Sequence, residues 1–229
     1  MSTLAIITAR GGSKRIPKKN IKEFCGKPIL AYSIEAAKES DSFDEVMVST
    51  DSEEIKAVAE KYGASVPFLR SEATSNDFAT TADVLVEVIE KYREQGKNFD
   101  SFACIYPTAP FVTGKRLAEA VKLLEEADAV VSVVRFSFPP QRAFVIRDGS
   151  VSFQYPQYEC ARSQDLEPIY HDCGQFYICK TDLFLEKHSL ILPRTRPYEL
   201  PDEEVQDIDT MSDWEIAEAK YMVLHKGEI

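Results

Sequence analysis

Leu4-Ala5-Ile6-Ile7-Thr8-Ala9-Arg10-Gly11-Gly12-Ser13-Lys14-Arg15-Ile16-Pro17-Lys18-Lys19-Asn20 joins a continuous apolar run to a glycine pair and a cluster of cations. A short unbroken run stopped by glycine is the pattern of a strand buried on both faces, and such strands belong to parallel sheets covered by helices. The rhythm repeats downstream. Ile29, Tyr32, Ser33 and Ala36 fall at helical spacing in residues 28–38, and residues 45–50 read as the next strand. Asp51 and Glu54 are spaced as a capping box that opens a helix through Tyr62, and Gly63 stops it. A short strand over 66–69, a helix over 81–92, a strand over 102–106, a helix over 115–126 and a strand over 129–134 continue the alternation. This order predicts an α/β domain whose sheet is mostly parallel, with right-handed crossovers.

The rhythm breaks at Phe136. Residues 143–146 and 151–154 flank Asp148-Gly149, a hairpin signal, so this stretch reads as an excursion from the sheet. The chain returns through a strand over 175–179, a helical turn begun by Thr181-Asp182, and a last helix from Ser212 with Glu215 as its capping-box partner. Residues 192–204 hold three prolines and several charges and read as an ordered loop.

Composition bounds the function. The chain has 229 residues, 44% of them hydrophobic and 28% charged, which is an ordinary globular balance and excludes wholesale disorder. A formal charge of -11 argues against a whole-surface binder of nucleic acid or anionic membrane, so an anionic ligand must meet a local basic patch. Five cysteines, with none in CxxC spacing, fit reduced thiols in a cytosol. The apolar run after Met1-Ser2-Thr3 is too short for a signal peptide, and no stretch approaches a membrane span, so a cytoplasmic, soluble protein is expected.

The basic patch is the opening stretch itself. Arg10, Lys14, Arg15, Lys18 and Lys19 crowd a loop at the carboxyl end of the first strand, where a glycine-rich loop is expected to expose backbone N–H groups to phosphate. The loop matches neither GxxxxGK[ST] nor GxGxxG. Near the other end, Asp207-Ile208-Asp209 puts two carboxylates on one face if extended, a spacing suited to a divalent cation. A phosphate loop together with paired carboxylates makes nucleotidyl transfer plausible. A metal-dependent glycosyltransferase and a catalytically silent nucleotide-binding module remain as alternatives, and fold alone does not choose among them. Polar clusters on predicted loops add Arg70, Glu72, Asp77, Thr80 and Thr81; Tyr106 and Thr108; and Arg162, Gln164, His171 and Gln175, a density of hydrogen-bonding groups that suits a polyhydroxylated acid.

Residues 9–20, Val48-Ser49-Thr50-Asp51, Tyr106-Pro107-Thr108-Ala109-Pro110 and Asp207-Ile208-Asp209-Thr210, in that order, resemble the cytidylyltransferases that activate nonulosonic acids, the CMP-sialic acid synthetase group. Arg162-Ser163-Gln164-Asp165-Leu166 and Tyr170 to Tyr177 resemble the branch of that group acting on pseudaminic acid, with a CMP-N-acetylneuraminate or legionaminate synthetase as the close alternative. The resemblance covers essentially the whole chain. It implies a three-layer, Rossmann-like nucleotidyltransferase fold over 1–229 as one domain, with 136–170 as an inserted element for dimerisation and substrate capping. It further implies transfer of CMP from CTP to the anomeric hydroxyl of an acidic nine-carbon sugar, with loss of pyrophosphate, by a homodimer whose subunits share active sites.

Under that resemblance Ala9, Arg10, Gly11, Gly12, Ser13, Lys19 and Asn20 would hold the triphosphate and ribose, and Arg70, Asp77, Thr80 and Thr81 the rest of the nucleotide. Asp207 and Asp209 would bind Mg²⁺ and, with Arg10 and Lys19, form the catalytic set. Tyr106, Thr108, Arg162, Gln164, His171 and Gln175 would meet the sugar acid, with Arg162 on its carboxylate.

Overall fold

The structure is a computed structural model that describes residues 1–226. Leu4 to Ile7 have no exposed surface, because β1 (Thr3–Thr8) lies inside a six-stranded sheet. After it come β2 (Glu23–Phe24), β3 (Lys27–Pro28), α1 (Ile29–Glu39), β4 (Glu45–Ser49), α2 (Glu53–Lys61), α3 (Glu72–Ser75), α4 (Thr81–Glu94) and β5 (Ser101–Ile105). The chain continues through α5 (Gly114–Leu123), β6 (Ala129–Arg135), β7 (Phe144–Arg147), β8 (Ser150–Phe153), β9 (Tyr170–Lys180), α6 (Thr181–Lys187), β10 (Thr195–Leu200) and α7 (Met211–Leu224). The large sheet has the order β10-β6-β9-β5-β1-β4. β1 runs parallel to both β4 and β5, β10 runs parallel to β6, and β9 alone is antiparallel to its neighbours.

Helices cover both faces, which makes three layers. Ala5 and Ile7 face Leu30 and Ile34 of α1, Ile55 and Ala59 of α2, and Leu117 and Ala120 of α5. Leu4 and Ile6 face Leu85, Val88 and Tyr92 of α4 and Phe184 of α6. A third apolar cluster joins Ile16 of the basic loop and Phe24 to Ile208, Trp214 and Ala217, so α7 is fastened to the loop that follows β1.

Four local expectations are corrected. Residues 66–69 form no strand: Ser65 makes a single parallel bridge to Met47, and Pro67 has no N–H to extend a ladder. Residues 192–204 are not all loop, since β10 pairs along β6 from Thr195↔Ala129 to Leu200↔Val134. Its Pro197 is tolerated because β10 is an edge strand. The cap of α2 is Ser52, whose Oγ accepts from Ile55 N, while Asp51 is spent on the basic loop. The capping box of α7 is Thr210 with Asp213, two residues earlier than Ser212 with Glu215.

The excursion begins as expected, with Phe144↔Phe153 through Arg147↔Ser150 paired around Asp148 and Gly149, both at positive φ as a tight hairpin requires. The returning strand is longer than expected and carries a bulge: Val131 pairs with Tyr177 but Val133 with Asp172, around Gly174 at φ 65°.

Candidate active site

At the carboxyl ends of β1, β4 and β5 the loops part into a cleft of about 290 Å³, the usual ligand position on an open parallel sheet. Its floor is the loop after β1. Ala9 N donates to Ser49 O at 2.9 Å, prolonging the β1–β4 pairing by a residue. Gly11 N donates to Asp51 Oδ1 at 2.7 Å, and a Cβ at Gly11 would stand 3.1 Å from Ser52 Cβ, so this position favours glycine. A Cβ at Gly12 would meet nothing within 4 Å. Buried Asn20 donates from Nδ2 to Arg10 O at 2.8 Å and so closes the loop on itself.

This folding aims Arg10, Ser13, Lys14, Arg15 and Lys19 into the cleft, while Lys18 turns away to Glu54 at 2.8 Å. Arg10 Nη1 meets Asp77 Oδ1 at 2.8 Å, and Lys14 pairs with the other oxygen of Asp77. Arg15 lies 2.8 Å from Asp209, and Lys19 lies 3.9 Å from the same carboxylate. Lys19 Nζ also donates to Ile208 O at 2.6 Å, which ties the loop after β1 to the segment before α7. Burial lowers the Lys19 pKa, against the pull of Asp209 and Asp207. Burial, and then the like charge of Asp209, raises that of Asp207.

The upper wall is residues 70–81. Arg70 spends Nε and Nη2 on Ser49, at 3.2 and 2.8 Å, and therefore braces β4 as well as lining the cleft. Glu87 of α4 receives Ser71 N at 2.9 Å, Ser71 Oγ at 3.0 Å, Thr74 Oγ1 and Lys91 Nζ. Burial acts to raise its carboxyl, but these donors outweigh that and hold it at about 2. Thr80 caps α4 in a reciprocal box with Asp83. Opposite stand Tyr106, Pro107 and Thr108, with Tyr106 O fixed by Ser33 Oγ at 2.7 Å and the phenol pushed up to about 12 by burial.

Arg10, Ser13, Lys19, Asn20, Arg70, Asp77, Thr80, Thr81, Tyr106, Thr108 and Asp209 thus line one cleft, with Ala9, Gly11 and Gly12 in the backbone that shapes it. Five sequence candidates lie outside its lining, the first of them Asp207, exposed two residues before the lining residue Asp209. Arg162 is exposed and paired with Asp165 at 2.7 Å, and Gln164 lines a separate open groove with Phe136 and Asp202. His171 is exposed, its ring 4.5 Å from that of Phe136. Gln175 is 2% exposed and donates to Glu204 O at 2.7 Å, so it supports the turn after β10.

The sequence reading counted Lys14 and Arg15 as charge but gave them no place in the site, although their position in the same loop was the available signal. It also passed over Asp172 and Tyr177, which hydrogen-bond to each other, with the Tyr177 ring 6.3 Å from that of Tyr106. Their pairing depends on the β9 bulge, which no local pattern announces.

Among the described residues no three His, Cys, Asp or Glu side chains group into a metal cage. Magnesium does not require one, since it takes one or two carboxylates and completes its shell with water and substrate phosphates. Asp207 and Asp209 supply hard oxygen donors whose mutual repulsion a cation would relieve, so the residues present fit that ion.

The cytidylyltransferase family model matches residues 4–219. A pseudaminic acid cytidylyltransferase of Campylobacter jejuni subsp. jejuni serotype O:23/36 (strain 81-176) is 40% identical over 230 residues, covering 99% of both chains. A CMP-N,N'-diacetyllegionaminic acid synthase of Legionella pneumophila subsp. pneumophila is 37% identical over 234 residues, covering 99% of this chain and 98% of that one. Among solved structures, CMP:2-keto-3-deoxy-manno-octonic acid synthetase complexed with CTP superposes with a TM-score of 0.71 at 18% identity over the full length of both chains, a likeness of fold alone. With the family match running from β1 into α7 and so spanning every segment that builds the cleft, the chain belongs to the cytidylyltransferase family.

Proposed function

We propose that the protein transfers CMP from CTP to the anomeric hydroxyl of a nonulosonic acid, pseudaminic acid, and releases pyrophosphate. The observation that carries this reading is the 40% identity, over 99% of both chains, to a pseudaminic acid cytidylyltransferase. The cationic cleft supports it independently, because a protein of net charge -11 concentrates four cations where a triphosphate would lie.

In the reaction the anomeric oxygen attacks the α-phosphorus, the bond from that phosphorus to the bridging oxygen breaks, and pyrophosphate leaves with the electron pair. The hydroxyl proton passes to solvent. Arg10, Ser13, Lys14 and Lys19 hold the phosphates, and Arg10 and Lys19 stabilise the charge that develops on the leaving group. Asn20 keeps the loop closed, and Arg70, Thr80 and Thr81 bound the side where the ribose and base lie. Asp207 and Asp209 would hold Mg²⁺, which supplies charge neutralisation at phosphate oxygens and a lowered pKa for the attacking hydroxyl. Lys19 positions that pair through its bond to Ile208 O. Tyr106 and Thr108 close the cleft on the sugar side.

The working molecule in this reading is a homodimer in the cytoplasm, the compartment that suits five unpaired thiols. Among the described residues no helix is long and apolar enough to cross a membrane. Residues 136–170 expose Phe138 at 88%, Phe144 at 59%, Ile146 at 74% and Val151 at 62%, apolar area that a second subunit would cover. Arg162 and Gln164 lie on this element, outside their own cleft, and are assigned to the neighbour's sugar site.

The substrate is tested by pyrophosphate release with CTP and Mg²⁺ in the presence of pseudaminic, legionaminic or N-acetylneuraminic acid. Release with pseudaminic acid is expected to dominate. Preference for legionaminic acid, the direction in which the 37% identical Legionella synthase points, would keep the reaction and change the sugar. Silence with all three acids would contradict the reading.

A further inference from the structure

Four of the five cations that line the cleft, all but Arg70, are shared out between two carboxylates: Asp77 takes Arg10 and Lys14, and Asp209 takes Arg15 and Lys19. Asp209 has a use in the proposed reaction, as half of the metal pair. Asp77 has none, yet it sits where an oxyanion would sit. A carboxylate bridging Arg and Lys offers them the charge and paired oxygens that a phosphate offers. Proposed CTP ligands are therefore already engaged by a side chain of the same sign as the ligand.

We propose that Asp77 is an internal counter-ion that competes with the nucleotide's phosphates for Arg10 and Lys14 and must leave them when CTP binds. The proposal rests on reading this cleft as the CTP site. It reverses the sequence expectation that Asp77 contributes a favourable contact to the nucleotide.

The surrounding loop is built to let one residue withdraw. Its leading end is clamped to α4 by the bonds of Ser71 and Thr74 to Glu87, and its trailing end by the Thr80–Asp83 box. Between these clamps the chain protrudes, and Phe78 is 94% exposed. Asn76 Oδ1 accepts from Phe78 N at 2.8 Å and Ala79 N at 3.0 Å, bonds internal to the turn that survive its displacement. Contact with the basic loop runs through Arg10, which reaches Asn76 O at 3.5 Å as well as Asp77, and through Lys14. Hydrogen bonds from Lys14 and Arg10 keep the Asp77 carboxyl below its ordinary range, so it is charged at neutral pH.

The consequence is a sign. Removing a residue that contacts the ligand weakens binding, whereas removing a competitor tightens it. The gain must also be confined to ligands that bear the competing charge.

Equilibrium binding of CTP, inorganic pyrophosphate and cytidine to the full-length protein decides the matter, with wild type compared to Asp77→Asn and Asp77→Ser at low ionic strength. Both variants should bind CTP and pyrophosphate about fivefold more tightly, the scale of two exposed ion pairs, and should bind cytidine no differently. In about 1 M salt the gain should shrink, because exposed pairs are screened. Unchanged or weaker binding of CTP and pyrophosphate in variants that melt like wild type would overturn the proposal and return Asp77 to the ligand contacts. Failure of the wild type itself to bind CTP or pyrophosphate would instead mark the reading of the cleft as wrong. Asp77 lies on an exposed turn, and agreement between the two variants guards against a folding artefact in either.

Discussion

Lys19 is the residue on which the cleft's chemistry and its construction meet. It faces the site, half-buried, and its ammonium donates to Ile208 O between the two carboxylates of the proposed metal pair. Lys19→Ala should therefore lower kcat/KM for CTP by about a hundredfold, the cost of one donor lost from a preorganised anion site. Steady-state kinetics checks this. Asp209→Ala should bring turnover below about a tenth of wild type with the fold intact, as a lost metal ligand would. Activity above that level at saturating Mg²⁺ would take Asp209 out of the metal site. At this scale the sequence was informative wherever chemistry sat on loops directly after parallel strands, since strand ends place their loops without further information. Arg10, Ser13, Lys19 and Tyr106 converge for that reason. Gln175 was drawn in by the density of hydrogen-bonding groups around it, whereas its Nε2 donates to Glu204 O and its buried Oε1 has no hydrogen-bond partner.

Within the helix α4, one side chain holds the site from behind its lining. Glu87 gathers Ser71, Thr74 and Lys91 and so fixes the wall of the cleft. Its carboxyl lies near 2 in the fold against an ordinary 4.5, so its stabilising contribution is complete above the ordinary value and is lost as pH falls from about 4.5 towards 2. Thermal melts across that range should show wild type losing stability more steeply than Glu87→Gln, and parallel curves would contradict the assignment. At neutral pH the same variant should raise KM for CTP, because the loop loses its clamp. At the start of α7, Thr210→Ala removes the side-chain cap and should cost about 1 kcal/mol by denaturant titration.

Elements were legible where apolar period and turn residues agreed, as in β1 and α1. They were not where a partner strand decided the matter. Pro197 and its flanking charges look like loop until β6 lies alongside, and Asp51 reads as the cap of α2 until Gly11 N claims its carboxylate and leaves the cap to Ser52.

Across the whole molecule, the hairpin of β7 and β8 stands apart from the sheet with its apolar side chains uncovered. Light scattering at micromolar concentration should report a dimer, and Phe144→Asp combined with Ile146→Asp should give a monomer with impaired turnover. A wild-type monomer would sink the shared-site reading and with it the placing of Arg162. Arg162→Ala should raise KM for the sugar acid and leave CTP binding unchanged. That placement was not legible in local patterns, because the position of an excursion is set by what packs against it. The reaction itself is tested most directly by following the three phosphorus atoms of CTP by ³¹P NMR during turnover with pseudaminic acid and Mg²⁺. The α-phosphorus should appear in a new phosphodiester of CMP with the sugar, with one pyrophosphate formed for each. Free CMP with pyrophosphate, inorganic phosphate with CDP, or unreacted CTP would contradict nucleotidyl transfer to the sugar.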